Sequence, residues 1–435
     1  MTAQPQTVQD VQVSAPWTLA TRVAFRFCLL YFGIYCCATS LGAFYPSDRM
    51  DDTWGLEIVW PLRPITFWTA AHLFGAKLPL LYRNSGSDDK VFDWVLAFCL
   101  LVFALIGTLI WSALDRRREN YATLNQWFRL FVRIILASEL LFFGMVKVIP
   151  NQMLLPSLSA LLTPLGRLSH FSILWDSVAA IPAYEIFAGC AEVMAGLLLL
   201  FRRTAMLGAL LAAADMVEVW MLNMTYDIPV KLYSFHMLLL ALLLLAPECG
   251  RLLDFALRDC ATGPSTQPRL FRTRRANGLV LAAQITLGVW LLSMNTYRGL
   301  DLWRTFGNGR PRPPIYGIWD VHELTLDGQL PSPMASDFGC WRRIVFDRPT
   351  LMSVQCADES FERYGEALNA SARTIILSKA RDPKWKVELT FERIGPDELV
   401  LNGTANEHPL HVRLQRAALP KFVLLEPSFH WVQEH

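Results

Sequence analysis

Glu192, Glu218 and His236 each stand inside a long apolar run, and Lys147 closes another. The polar stretch "NMTYDIPVKLYSFH", Asn223–His236, joins two of these runs. Carboxylate, imidazole and ammonium groups in such surroundings can carry protons or hold a polar ring. One charge in hydrocarbon costs at least ~2.5–3.5 kcal/mol, so these groups should face inward and pair. At ~1.5 Å per residue, Glu192 lies roughly 10–15 Å from the start of its run. His236 lies roughly 10 Å from the start of its run, and Glu218 roughly 10 Å from the end of its own. Asp215 is one turn deeper, and Glu139 is near the middle of the run ending at Lys147.

The coincident depths suggest a cavity with Asn223–His236 as its lip and Glu192, Glu218 and His236 as its floor. Glu192 and His236 would then be the catalytic, proton-moving groups. Lys147, Glu218, Asn223 and Lys231 would contact a bound cofactor. The bland alternative is mutual ion pairing that holds the helices together, with His236 a neutral hydrogen-bonded side chain. A metal site made by Glu192, Glu218 and His236 is a poorer reading, because nothing fixes ligand spacing across helices.

Local sequence supports an inward-facing Glu192. In "EIFAGCAEVMAG", Gly189, Glu192 and Gly196 share one helical face, and small residues at that spacing let a neighbouring backbone approach. Glu185 lies on the same face. Asp227 is placed to cap the following helix, Pro229 suits its first turn, and Lys231 can snorkel to the surface.

The elements that must hold these groups are membrane spans. The chain has 435 residues, 53% of them hydrophobic. About seven runs reach spanning length: Val23–Phe44, Val91–Leu114, Trp127–Ile149, Ala183–Phe201, Thr204–Tyr226, Val230–Ala246 and Asn277–Tyr297. The first could alternatively be a signal peptide, although the segment before it is a poor n-region. Basic residues cluster at Arg116–Arg118, at Arg202 and Arg203, and at Arg251, Arg258, Arg269, Arg272, Arg274 and Arg275. The positive-inside rule then puts the N-terminus in the cytoplasm and everything after Tyr297 outside. The net charge of +2, with basic residues at the ends of apolar runs, gives no nucleic-acid surface. Nine Cys are scattered without zinc-like spacing. Two outer connections, "EIVWPLRPITFWTAAHLFG" and "LLPSLSALLTPLGRLSHFSILWDSVAAIP", are apolar but broken by Pro. They read as interfacial or re-entrant helices that could roof a cavity.

From about Tyr316 the apolar period becomes two. "WKVELTFE" places Trp385, Val387, Leu389 and Phe391 on one face, and "LHVRLQR" repeats this with Leu410, Val412 and Leu414. Turn signals stand at Asp327-Gly328, Pro396-Asp397 and Asn402-Gly403. About eight strands fit, with one helix near Asp358–Asn369, as an antiparallel β barrel or sandwich. Such a barrel could hold an apolar ligand or simply be packed. A hairpin at "DRPT" would bring Cys340 and Cys356 together as a disulfide, whereas a one-residue slip would separate them. The chain stops at "FHWVQEH" with no polar tail, which reads as a clipped end.

Residues Trp127–Leu253 resemble the DoxX-like family of bacterial integral membrane proteins. The resemblance is carried by "FFGMVKVIP" with Gly144 and Lys147, by "IFAGCAEVMAGLLLLFRRT" with Gly189, Glu192 and Gly196, and by "MLNMTYDIPVKLYSFH". The whole chain looks like the long form with a C-terminal extracytoplasmic β domain. The resemblance implies a four-helix membrane unit, here spans three to six. Relatives include a subunit of a thiosulfate:quinone oxidoreductase and proteins tied to redox maintenance. A more distant similarity runs to the membrane domain of vitamin K-dependent carboxylases, where a quinol is oxidised.

The expected organisation is a cytoplasmic tail (1–22), two spans with an interfacial loop (23–126), and the four-helix unit (127–253). A basic linker with the seventh span (254–298) and the β domain (299–435) follow. The first functional reading is a redox component of the bacterial inner membrane that handles a quinone, together with a redox partner protein. The second is a non-enzymatic anchor in the lipid bilayer whose β domain binds a lipid or a protein.

Overall fold

The computed structural model describes residues 16–40, 61–82, 87–258, 261, 271, 273–331, 338–348, 350–380, 382–405, 407–419, 421–426 and 430–432. Arg269, Arg272, the Glu57–Trp60 part of the first outer connection and Pro349 of "DRPT" lie outside them. The chain divides into two compact units: 1–149 with 186–300, and 150–185 with 301–435.

The first unit is helical. Its helices are α1 (Leu19–Thr39), α2 (Leu62–Leu73), α3 (Val91–Leu114) and α4 (Ala122–Val148). The short α5 (Leu158–Leu161) and α6 (His170–Ala179) belong to the second unit. Then come α7 (Pro182–Leu200), α8 (Ala205–Thr225), α9 (Lys231–Leu245), α10 (Cys249–Ala256) and α11 (Arg274–Thr305). The unit boundaries fall near the start of α7 and near the end of α11.

Among the described residues six stretches, not seven, are long and apolar enough to cross a membrane: α1, α3, α7, α8, α9 with α10, and α11. The expected third span, α4, is a 27-residue helix but carries Arg129, Arg133, Glu139 and Lys147. Its charge is tolerated because α4 is central and all four of these side chains are buried. Leu136, Ala137, Leu140 and Leu141 of α4 are fully buried around them. Outer helices show the reverse pattern, with Leu109 of α3 and Leu279 of α11 more than 70% exposed. Apolar surface of this kind is suited to hydrocarbon, and the chain is an integral membrane protein.

One end of the helical unit is tied by arginines. Arg26 donates to Tyr121 Oη (2.7 Å) and to the Asp115 carbonyl (2.8 Å), and Arg129 pairs with Glu248 at 3.7 Å. These contacts join the start of α1, the end of α3, the start of α4 and the turn after α9, as an up-and-down chain requires. Lys147, Asp89 and Lys231 stand at the ends of their helices that this path carries to the other side.

The second unit is a closed antiparallel barrel. Its strands are β1 (Gly317–Leu326), β2 (Arg343–Arg348), β3 (Leu351–Gln355), β4 (Phe361–Asn369), β5 (Thr374–Lys379), β6 (Asp382–Arg393), β7 (Glu398–Ala405) and β8 (His408–Arg416). Each pairs with the next, and β8 closes on β1 with Leu326 opposite Leu410. The inward residues of β6 and β8 are those expected from the alternation. Residues Phe361–Asn369 are strand and not helix, because Tyr364, Glu366 and Leu368 alternate inward with period two. Asn402-Gly403 is not a turn either but lies within β7, paired with Thr390 and Leu389. Interior aromatics meet ring to ring, Phe338–Trp341 and Trp341–Tyr364 edge to face and Tyr364–Trp385 stacked, so side chains fill the barrel as its small strand number allows. Cys340 and Cys356 form a disulfide across the β2–β3 hairpin, with Cα atoms 4.7 Å apart.

The expected interfacial connection, Leu154–Pro182, falls within the 150–185 part of this second unit. The Leu158 amide donates to the Asp347 carboxylate (3.0 Å), and Arg167 donates to the Asp358 carbonyl (2.6 Å).

Candidate functional site

Away from the end tied by arginines, two sets of buried polar groups stand out among the described residues of the helical unit. The first is built by a close crossing of α4 and α7. A Cβ on Gly189 would lie 2.6 Å from the Gly144 carbonyl oxygen and 2.7 Å from Lys147 Cβ. A Cβ on Gly144 would lie 2.9 Å from the Gly189 oxygen. Only the absence of side chains at both positions allows this approach. One turn onward on each helix, Lys147 Nζ donates to Glu192 Oε1 at 2.6 Å. Glu192 is 1% exposed, and its Oε2 has no hydrogen-bond partner. Asp215 on α8 lies within electrostatic reach of Glu192, Lys147 and Glu218. Asp215 Oδ2 is also buried without a hydrogen bond. Gly196 continues the same face, meeting Ala137 and Leu141 of α4.

The second cluster is made by α1, α4 and α9. His236 Nδ1 is 2.7 Å from the Leu232 carbonyl, which can only accept, so Nδ1 carries the proton. Nε2 is then the acceptor, and Tyr31 Oη donates to it at 2.7 Å. The Tyr35 ring stacks on the imidazole with centroids 3.9 Å apart and planes 10° from parallel. Tyr31 and Tyr35 stand one turn apart on α1, so a single helix face meets His236. Glu139 of α4 hydrogen-bonds Tyr233 and Ser40. Tyr35 is within electrostatic reach of Tyr233, so these groups adjoin the His236 stack.

The residues expected to form one floor have these partners. Glu192 joins Lys147 and Asp215, whereas His236 joins Tyr31 and Tyr35. Glu218 is exposed on α8, near Asp215. Asn223 is buried and donates to Ser234 Oγ at 2.9 Å, tying α8 to α9. Lys231 donates to the Ile228 carbonyl (3.1 Å) and pairs with Asp227 (2.8 Å) and Asp89 (3.6 Å).

Asp227 does not cap α9 as expected. Its backbone takes φ 55°, and its carboxylate turns outward to Lys231. The cap comes from Asp89, ahead of α3. Its Oδ2 accepts from the Lys231 amide and its Oδ1 from the Leu232 amide, both at 2.9 Å. The stretch Asn223–His236 is thus a capped, locally bonded loop at its start and one wall of a polar cluster at its end.

Tyr31, Tyr35, Tyr233 and Asp89 were missed from sequence. The i, i+4 spacing of Tyr31 and Tyr35, and the i, i+3 spacing of Tyr233 and His236, were the available signals. Both pairs place hydroxyl or imidazole groups on one helix face within an apolar run.

In the barrel, the Glu366 carboxylate is buried on the inner face with neither oxygen hydrogen-bonded. Burial pushes its pKa up to about 8. The barrel unit also holds a cavity of about 290 Å³ between the 156–176 segment and Phe422–Leu424. Leu161, Leu165, Leu168 and Val423 line it, with Asp176 as its carboxylate.

No protein-family model matches this chain, and no solved structure does. "Uncharacterized protein YwoB" of Bacillus subtilis (strain 168) is 32% identical to it over 115 residues, covering 26% of this chain and 71% of that protein.

Proposed function

We propose that this chain, which belongs to the same family as Bacillus subtilis YwoB, handles a quinone or a similar lipid-soluble redox carrier within the membrane. The observation that carries the reading is the Tyr31–His236 hydrogen bond beside the Glu139–Tyr233–Ser40 set. Quinol oxidation releases protons, and intramembrane strings of carboxylate, imidazole and hydroxyl groups serve as proton relays. Lys147 and Glu192 give a second exchangeable pair on α4 and α7. The resemblance to DoxX-like proteins, among which a thiosulfate:quinone oxidoreductase subunit is counted, supports the same class of carrier. In this reading the basic helix ends face the bacterial cytoplasm, the barrel lies outside the inner membrane, and a redox partner protein exchanges electrons with the carrier.

The test is binding of a short-chain benzoquinone to the purified protein in nanodiscs, followed by quenching of tryptophan fluorescence. Saturable quenching that is weakened by Tyr31→Phe and His236→Ala supports the reading. Quenching that rises linearly, as for simple partition into lipid, rejects it.

A second reading is a non-enzymatic lipid-binding or partner-binding anchor. The apolar cavity of about 290 Å³ in the barrel unit favours it, being near the lower end of ligand-pocket sizes. Extraction of a stoichiometric lipid that is lost in Leu165→Trp, with no quinone bound, would select this reading.

A further inference from the structure

Arg133 of α4 is a buried cation that the fold leaves largely unused. Its side chain is more than nine-tenths buried. Among the described residues its hydrogen bond is a long one, from Nη2 to the Leu200 carbonyl at 3.5 Å, and its Nε has no partner. The charged groups that act on it are Arg129, one turn earlier on the same face of α4, and Arg202, two residues past the end of α7. Both are cations, so they add to the cost of burying Arg133 and do not offset it. Glu248, a buried carboxylate at this end of the unit, is already shared by Arg129 (3.7 Å) and Arg251.

The adjoining start of α8 also suits an anion. Thr204 holds the N-cap position, but its hydroxyl donates backward to the Leu198 carbonyl at 2.7 Å and accepts nothing from the first turn. The first amides of α8 and the positive end of a 21-residue helix thus begin at the turn that carries Arg202. Arg251 reaches this first turn too, with Nη1 3.7 Å from Met206 Sδ. Leu200 ends α7 and Ala205 begins α8, so the group stands where these two spans leave the hydrocarbon. Leu207 in the first turn of α8, and Leu253 two residues past Arg251, are exposed apolar side chains on the same turns.

We propose that Arg133, Arg202 and the first turn of α8 form a binding site for a phosphate group, whose two sources are an anionic phospholipid headgroup and free phosphate. Guanidinium forks and helix N-terminal amides are the donors that match phosphate oxygens, and the added negative charge offsets the mutual repulsion of the arginines. The level of the site and the exposed Leu207 and Leu253 favour the lipid, since basic pockets between spanning helices take anionic headgroups in this way. The proposal uses none of Tyr31, His236, Lys147 or Glu192, so it stands apart from the quinone reading and survives its failure.

The experiment uses the full-length protein, stripped of lipid in a non-ionic detergent, and native mass spectrometry of the complexes it forms. Phosphatidylglycerol, phosphatidylcholine and inorganic phosphate are titrated separately. Phosphatidylglycerol is expected to bind saturably and at least about fivefold more tightly than zwitterionic phosphatidylcholine, the worth of one arginine beside an anionic headgroup. Arg133→Met should lower the phosphatidylglycerol affinity about fivefold and leave that for phosphatidylcholine unchanged. Arg202 is half-buried, so Arg202→Gln serves as the second variant should Arg133→Met fail to fold, with the same loss expected. The exposed neighbour Arg203 is the control, and Arg203→Gln should keep the native preference. Inorganic phosphate that binds as tightly as the lipid, and is lost in the same variants, supports the site with free phosphate as its source. Equal binding of the two lipids with no binding of phosphate overturns the proposal. So does a preference that persists in the folded Arg133 and Arg202 variants, or one that Arg203→Gln lowers as much, which would mark diffuse attraction to a basic surface.

Discussion

Lys147 and Glu192 meet at 2.6 Å, one turn beyond the point where Gly144 and Gly189 bring α4 and α7 into backbone contact. The ion pair is set by the crossing, so a side chain at the crossing should disturb it. Gly189→Ala places a methyl 2.6 Å from the Gly144 carbonyl oxygen, against backbone that has no rotamer to yield. The expected cost is about 1–3 kcal/mol, seen as a lower midpoint of thermal unfolding in detergent. An unchanged midpoint would mean that the helices can separate without loss.

Removing one member of the pair should harm more than removing both. Lys147→Met leaves Glu192 buried without its cation, at a cost of about 3–5 kcal/mol. Lys147→Met combined with Glu192→Gln should recover most of that loss. A double variant as unstable as the single one would place the effect in packing and not in charge.

Asp89 and Asp227 provide a contrast in capping. Asp89→Ala removes two bonds to α9 amides and should cost about 0.5–2 kcal/mol. Asp227→Ala removes an exposed partner of Lys231 and should shift the unfolding midpoint far less. Hydrogen exchange in the first turn of α9 distinguishes them, rising in the Asp89 variant alone.

Glu366 should make the barrel weaker in alkali. Its carboxyl is held near pKa 8 by burial, against about 4.3 in an unfolded chain. Between these values the folded state binds the extra proton, so stability falls as pH rises, by an amount on the order of a few kcal/mol. Glu366→Gln, neutral throughout, should flatten this dependence and protect β4 and β5 at pH above 8 relative to the native protein. Hydrogen-exchange mass spectrometry of those strands at several pH values checks it. A variant with the same pH profile would relieve Glu366 of this role.

The fold was legible where periodicity was strong. Spanning runs and the alternation of Trp385, Val387, Leu389 and Phe391 carry their partners' identity as simple apolarity. The strand Phe361–Asn369 was read as helix because "FERYGEALN" has helix-favouring Glu and Ala, and barrel closure overrode that local preference. Helix α4 shows the complementary limit, since its charges look unsuited to lipid until neighbouring helices bury them. In the site, the inward face of Glu192 was legible through the Gly189/Gly196 spacing, which the structure sets against α4. The cap by Asp89 was not, because it reaches a helix 142 positions later in the chain. The Tyr31–His236 bond spans 205 positions, and nothing local to either residue announces it.

Quinone content of matched preparations tests the central claim most directly. Native protein, Glu192→Gln and His236→Ala would be purified in mild detergent, with thermal unfolding and extractable quinone measured on the same samples. Near-stoichiometric quinone is expected in the native protein, with a marked loss in His236→Ala at little change in unfolding midpoint, and a marked loss in Glu192→Gln together with the lower midpoint that an unpaired Lys147 brings. Folded variants that keep the native quinone content, or native protein that carries none, would contradict it and leave both polar clusters as struts of the helical unit.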